Sequence, residues 1–322
     1  MEVIGVGLAN IDLVAYVSDE FLARHRIPKA HTKKIDVLSF ARLRAELERF
    51  DAIPGGCAAN TLCGMGAYGV HTRFFGKIGE DSFESLYRAS FTEYTVEYDV
   101  AASAQESSQC AVLITPDGER SFAFIHGASF DLSPEDIPDD QLKRAELIYA
   151  ENYLFEFSKN ADTAKKIFEA AQANKTPLVM KGVDYDFGKS YTQKTKALAD
   201  AGILSLLVGN HQNLPFMVGA KNLDDAITAF SDWKCDVLIT AITQGAYHIS
   251  KGEVHHHPVS KVIENPKNTT GAGDQFVAGF LMGQLDKKSI PECMAFAENC
   301  ALGILNHDTA RPPLVNRHSI RF

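Results

Sequence analysis

The stretch Asn268-Thr269-Thr270-Gly271-Ala272-Gly273-Asp274-Gln275-Phe276-Val277-Ala278-Gly279-Phe280-Leu281 decides the reading of this chain. Val277, Phe280, Leu281 and Leu285 repeat at helical spacing, so a glycine-rich loop runs into the start of a helix. A helix start presents backbone N–H groups with no intrahelical acceptor at the positive end of a dipole. Gly271 and Gly273 permit close approach and positive φ, which suits a pocket of donors for an anion such as a phosphoryl group in transfer. Asp274 falls in the first turn beside that pocket, where its carboxylate can take the proton of an attacking hydroxyl. A plain glycine-led helix start, with Asp274 favouring the dipole, explains the same letters, and the stretch alone leaves both readings open.

Outward from this segment, short apolar runs at Val3 to Val6, Leu147 to Ala150, Leu204 to Val208 and Val237 to Thr240 have strand length and no strict alternation. That is the pattern of strands buried in a parallel sheet. Between them, Ala161, Ala164, Phe168 and Ala171 predict a helix over 160 to 173. Alternating strands and helices imply an α/β fold, a central, mostly parallel sheet flanked by helices. Two β-rich runs around Pro116-Asp117-Gly118-Glu119 predict a hairpin over 109 to 126. With a strand at 10 to 17, the hairpin makes a small β-sheet lid over the main body, and residues 1 to 322 read as one domain carrying that lid.

A net charge of -9 speaks against broad nucleic-acid binding. The one basic concentration, Arg24, Arg26, Lys29, Lys33 and Lys34, reads as a solvated face. No apolar run approaches the ~20 residues that cross a bilayer, and the N-terminus lacks the basic start and cleavage site of a signal peptide, so a cytoplasmic protein without membrane contact is expected. Six cysteines form no CxxC pair and read as reduced, buried hydrophobes, and no metal-ligating set is predicted. Three stretches are decoys. Gly5-Val6-Gly7-Leu8-Ala9-Asn10 lacks the third glycine of a dinucleotide fingerprint; Gly188-Lys189-Ser190 lacks the first glycine of a P-loop and reads as a surface turn. His255-His256-His257 alternates faces in a solvated edge strand.

Three more stretches accompany Asn268 to Asp274: Gly7-Leu8-Ala9-Asn10-Ile11-Asp12, Pro54-Gly55-Gly56-Cys57-Ala58-Ala59-Asn60, and Phe75-Gly76-Lys77-Ile78-Gly79-Glu80-Asp81. In order and spacing they resemble the PfkB family, the ribokinase-like carbohydrate and nucleoside kinases, whose DTxGAGD signature the 268 to 274 segment is similar to. The resemblance runs over nearly the whole chain. It implies a ribokinase-like fold and ATP-dependent phosphorylation of a hydroxyl on a nucleoside or sugar, with Mg2+ and, in the family, K+. It implies that Asp12, Gly55, Gly56 and Asn60 hold the substrate hydroxyls, with Glu151 a further candidate. Gly271, Ala272 and Gly273 would form the anion hole, Asp274 would be the base, and Asn210, Thr240, Gly245, Thr270 and Asn299 would line the nucleotide site. The partner is then a small molecule, and a monomer and a homodimer read alike.

Within the family, Phe21-Leu22-Ala23-Arg24-His25, Thr115-Pro116-Asp117-Gly118-Glu119-Arg120, His126-Gly127-Ala128-Ser129 and Glu151-Asn152-Tyr153-Leu154-Phe155 look most like the adenosine-kinase-like bacterial branch. An adenosine-like nucleoside is the first expectation, favoured by Phe122, Phe124 and Phe130 on the lid side, and a free sugar or sugar phosphate the second. Three departures motivate a third, a catalytically weakened regulator. Asn268 replaces an aspartate near the monovalent-cation site and leaves potassium activation open, Asn213 replaces a glutamate that supports magnesium, and Ile242 is bulky where relatives are small.

Overall fold

Four consecutive buried residues, Val3 to Val6, fill the strand Glu2–Val6 because it lies inside a sheet and is covered on both faces. It pairs in parallel with Leu147–Glu151 on one side and His71–Phe75 on the other. The computed structural model describes residues 2–94, 96–98, 102–155, 158–182, 188–264, 266–267, 269–307 and 309–312. From Leu147–Glu151 the sheet continues in parallel through Leu178–Lys181, Leu204–Asn210 and Asp236–Thr240, and closes antiparallel with Ala246–Ser250 and Glu253–His257. Val96–Tyr98 forms the opposite edge, making nine strands among the described residues.

Neighbouring residues of a strand enter different layers, as the pleat requires: Val3 packs in one core with Tyr149, Leu206 and Leu238, and Ile4 in the other with Ile148, Leu207 and Val237. The first layer is roofed by helices Cys57–Ala67, Ala272–Leu285 and Ile290–Leu302, the second by Ser158–Asn174 and Leu223–Phe230. Each fully buried Leu, Ile or Phe in these layers contributes roughly 1.5–3 kcal/mol. Helix Ala272–Leu285 is buried on all sides from Asp274 to Gly283. A Cβ on Gly279 would lie 2.6 Å from the Cα of Ala297, so glycine lets the next helix close against it.

Among the described residues the smaller sheet has five strands, in the order Thr32–Lys34, Arg120–Ile125, Ser108–Ile114, Asn10–Tyr16 and Asp51–Gly55. The hairpin turns where expected, with the Gly118 N–H donating to Thr115 O at 2.8 Å and Gly118 at φ 85°. Ser121, Ala123 and Ile125 are buried while Arg120, Phe122 and Phe124 are partly exposed. The buried side packs with Phe21, Leu22, Phe40 and Leu43 from helices Asp19–Arg24 and Val37–Glu46. The other side carries a lateral row of Ile53, Asp12, Cys110 and Phe124, and beside it Val14, Val112 and Phe122. The two edge strands escape sequence reading because Thr-Lys-Lys has no apolar alternation and Asp51–Gly55 contains Pro54 and Gly55, tolerated at an edge.

One sequence expectation is corrected here. Gly188, Lys189 and Ser190 open the helix Gly188–Asp200 and do not form a turn; residues 183–187, on which the P-loop comparison also rested, and Asn268 lie outside the described residues. His255 to His257 do sit on an edge strand, where His256 stacks on Tyr247 at 4.4 Å and His257 meets Glu298 at 3.0 Å. The six cysteines are free thiols, with Cys57 and Cys110 half-buried and the rest buried. In the basic cluster, Arg24 pairs with Glu46 and Lys29 with Asp19 and Asp117. No described helix is long and apolar enough to cross a membrane.

Candidate active site

Four parallel strands end in polar residues at one rim of the large sheet: Glu151, Lys181, Asn210 and Thr240. The carboxyl ends of such strands are where open α/β sheets bind ligands. Above this rim begins helix Ala272–Leu285, capped by Gly271 at φ 82°, where a Cβ would lie 2.4 Å from Ala310 O. Only glycine fits that turn. The Ala272 N–H is spent on Thr269 O at 3.2 Å, while Gly273 has open space beside it, its nearest neighbour being Thr240 Oγ1 at 3.9 Å from an added Cβ. The first-turn amides have no intrahelical acceptor and face this space with the positive end of the dipole.

Asp274 is 7% exposed, and each of its oxygens has a partner. Oδ2 accepts from Asn60 Nδ2 at 3.1 Å, and Oδ1 lies 3.6 Å from Lys181 Nζ. Asn60 is fixed in turn, because its Oδ1 accepts from Arg311 Nε at 3.1 Å. Arg311 donates through Nη1 to Ser90 at 2.7 Å and lies over the Phe91 ring at 5.2 Å. Burial works against the Lys181 ammonium, but Asp274 first and then Cys57 and Glu151 hold its pKa above the usual lysine value.

Glu151 braces two segments. Its Oε1 accepts from the Ala58 N–H at 2.7 Å and Oε2 from the Leu8 N–H at 3.1 Å, tying the start of helix Cys57–Ala67 to the loop after the first strand. Burial pushes its carboxyl up to about 7 against the opposing pull of those two amides. Asp12 is also pushed up to about 7 by burial, with Arg311 opposing and Asp274 adding to the rise. Asn10 Nδ2 donates to Asp12 Oδ1 at 2.6 Å. Gly55 lies close below it: a Cβ there would come 2.6 Å from Asp12 Oδ2, so any side chain would displace the carboxylate. Gly56, at φ 100°, would bring a Cβ to 2.1 Å from Leu8 O.

Of the residues expected at the substrate, Asp12, Gly55, Gly56, Asn60 and Glu151 are thus gathered near Asp274, but Asn60 and Glu151 spend the hydrogen bonds above on protein groups. On the other side of Gly273 opens a cavity of about 370 Å³ lined by Asn210, Thr240, Gly245, Ala272 and Gly273, with apolar walls from Val259, Phe276 and Leu302. Gly245 needs its φ of 86° and has His257 O 2.0 Å from where a Cβ would be. Asn210 Oδ1 is occupied, accepting from the N–H groups of Gln212 and Asn213 at 3.0 and 2.8 Å. Ile242 stands on the rim, 71% exposed, at a strained φ of 45°. Helix Ile290–Leu302 turns Glu298, Ala301 and Leu302 to the cavity; Asn299, one position along, is exposed and does not line it. Thr270 contacts the smaller sheet instead, its Oγ1 accepting from Arg120 Nη1 at 2.6 Å.

Lys181, Arg311 and Arg120 were not anticipated from the sequence. Lys181 had a signal, a single charge closing the apolar run Leu178-Val179-Met180; Arg120 and Arg311 look like ordinary surface arginines in the letters. Glu2, His71 and Glu97 also converge, but Arg73 already pairs with Glu2 at 3.0 Å and with Glu97, so a cation holds that cluster.

Comparison with known proteins shows the family. The chain is 28% identical over 256 residues to a fructokinase of Klebsiella pneumoniae, covering 75% of this chain and 80% of that protein. Its fold is shared with the crystal structure of adenosine kinase from Sinorhizobium meliloti, at TM-score 0.91 and 24% identity over 99% of this chain and 98% of that one. A probable sugar kinase from Rhizobium etli gives TM-score 0.89 and 24% identity over 97% and 94%. The model of the pfkB family carbohydrate kinases matches residues 3–315. Since that match runs through both sheets and the helix that carries Asp274, the chain belongs to the pfkB family and is an ATP-dependent kinase of sugars or nucleosides.

Proposed function

We propose that the chain phosphorylates a hydroxyl of an adenosine-like nucleoside, with Asp274 as general base and the first turn of its helix as the anion site. The observation that carries the nucleoside is the aromatic side of the smaller sheet. Phe122 and Phe124 are partly exposed on the face that also bears Asp12, and His126 stands edge-on to Phe124 at 5.5 Å and to Phe130 at 3.9 Å. A flat base gains from such rings while its ribose reaches Asp12. The likeness to the Sinorhizobium meliloti adenosine kinase supports the same choice. We read the smaller sheet as a lid, tethered by the Arg120 bond to Thr270.

In this reading the substrate hydroxyl attacks the γ-phosphorus of ATP, its proton passes to Asp274, and the first-turn N–H groups meet the charge that develops. The apolar walls of the 370 Å³ cavity suit a purine ring and its Gly273 end suits phosphates. Mg2+ would supply charge neutralisation on those phosphates. Asn213 Oδ1 is buried without a hydrogen-bond partner, a neutral oxygen where the family expects a carboxylate, so ATP itself would provide most of the ligands.

A second reading, a sugar or sugar phosphate, is favoured by the fructokinase likeness and by Arg120 on the lid. The test is ADP release from Mg-ATP with purine nucleosides, ribose, fructose and their phosphates, with and without K+. Turnover confined to nucleosides supports the first reading, turnover confined to sugars replaces it with the second, and silence from folded protein refutes both.

A further inference from the structure

We infer that Lys181 is a second catalytic residue, whose ammonium donates to the acceptor hydroxyl oxygen while Asp274 Oδ1 takes that hydroxyl's proton. The inference rests on the kinase reading above and deepens it. Asp274 Oδ2 is occupied by Asn60, and the Asn60 amide is oriented by Arg311, so Oδ1 is the oxygen left for chemistry. Lys181 Nζ is 3.6 Å from that oxygen, beyond the ~2.7–3.2 Å of a close N–H···O bond. An incoming hydroxyl oxygen can therefore engage both groups without first breaking a tight bond between them.

The placement has a cost that structure alone does not explain. Lys181 is 7% exposed, and burying an ion pair is often no better for stability than apolar packing. Its strand otherwise consists of Leu178, Val179 and Met180, any of whose types would fill the site. The ammonium instead sits at the carboxyl end of the strand, among the groups that meet there. Asp274 faces it from one helix and Cys57 from another, with Glu151 on the neighbouring strand; Tyr149 and Asp12 also lie within electrostatic reach of Asp274, and Arg311 within reach of Asp12. Glu151 is committed to the Ala58 and Leu8 amides, which leaves Asp274 as the principal counterion of Lys181.

In the step itself, the hydroxyl oxygen forms a bond to the γ-phosphorus as the bond from that phosphorus to the β–γ bridging oxygen breaks. ADP leaves with the electron pair, and the proton ends on Asp274. Lys181 keeps its protons and offsets negative charge on the nucleophile as it develops.

The experiment compares wild type, Lys181→Met, Lys181→Arg and Lys181→Ala in the ADP-release assay across pH, with Tm measured for each. Lys181→Met is expected to lose about 100-fold in kcat with KM for ATP unchanged. Lys181→Arg should retain more turnover than Lys181→Met, and ethylammonium should partly restore Lys181→Ala. A purely structural lysine would lower Tm without a loss confined to kcat and without rescue of turnover by the amine. Wild-type kcat in Lys181→Met, or no rescue of folded Lys181→Ala, overturns the inference alone. If Lys181→Met fails to fold, Lys181→Arg and amine rescue decide it. A wild type inactive on every acceptor overturns the kinase reading and this inference with it.

Discussion

Replacing Glu151 by Gln tests the brace beneath the site through its pH dependence. Both Glu151 oxygens accept backbone N–H bonds, from Ala58 at 2.7 Å and Leu8 at 3.1 Å. Glutamine offers one carbonyl oxygen and turns an NH2 toward the other N–H, leaving a buried donor unsatisfied at a cost of about 1–3 kcal/mol. Glu151 itself titrates at about 7 in the fold against 4.5 for the free side chain. Between those values the folded state holds a proton that the unfolded chain has released, so this group's contribution to stability falls as pH rises from about 4.5 to 7. A shift of that size corresponds to about 3 kcal/mol. Urea unfolding followed by the single tryptophan, Trp233, which is 6% exposed, reads the difference directly. At pH 5 the variant should be less stable than wild type by about 1–3 kcal/mol. By pH 8 wild type has paid its ionisation penalty and the gap should close or reverse. Asp12 titrates in both proteins and cancels. A gap that stays constant or widens from pH 5 to 8 refutes the assignment of Glu151 as a buried brace with a raised pKa.

Three further outcomes are expected. Asp274→Asn should keep the fold and lose at least about 100-fold in turnover; its Tm should also drop, because Lys181 would lose its carboxylate at 3.6 Å, and near-wild-type phosphorylation would end the base assignment. Gly56→Ala should be destabilised by about 1–3 kcal/mol from its positive φ alone, and by more from the clash with Leu8 O, as read by denaturant unfolding; an unchanged midpoint contradicts the geometry. Saturating acceptor with a non-hydrolysable ATP analogue should protect residues 109 to 126 from limited proteolysis if the smaller sheet closes as a lid, and equal cleavage with and without ligand argues for a fixed sheet.

Much of the fold was legible because its signals are local. The apolar runs, the helix over 160 to 173 and the Pro116–Glu119 turn each need only neighbouring residues to declare themselves, and each corresponds to an observed element. Likewise the Gly271 to Asp274 segment reads as a helix start because glycine, dipole and periodicity act within a few residues. Local signals failed where context rules. Thr32–Lys34 is a strand only because Arg120–Ile125 lies beside it, and Gly188 to Ser190 are helical although glycine and serine favour turns. Which side of a helix a residue takes is likewise set by its register: one step rotates a side chain about 100°, so Asn299 is exposed while its neighbour Glu298 lines the cavity.

By itself the sequence determined the α/β alternation, the hairpin, and the loop with its carboxylate, all short-range consequences of backbone preference and apolar periodicity. Tertiary structure alone decided which charges meet. Asn60 reaches Asp274 across 214 residues and Arg311 reaches Asn60 across 251, and Lys181 comes to Asp274 because the end of its strand and the start of a distant helix share one rim. Those contacts depend on how whole layers pack and on the cost of burying ions that must then find partners, a long-range condition that no window of the sequence contains.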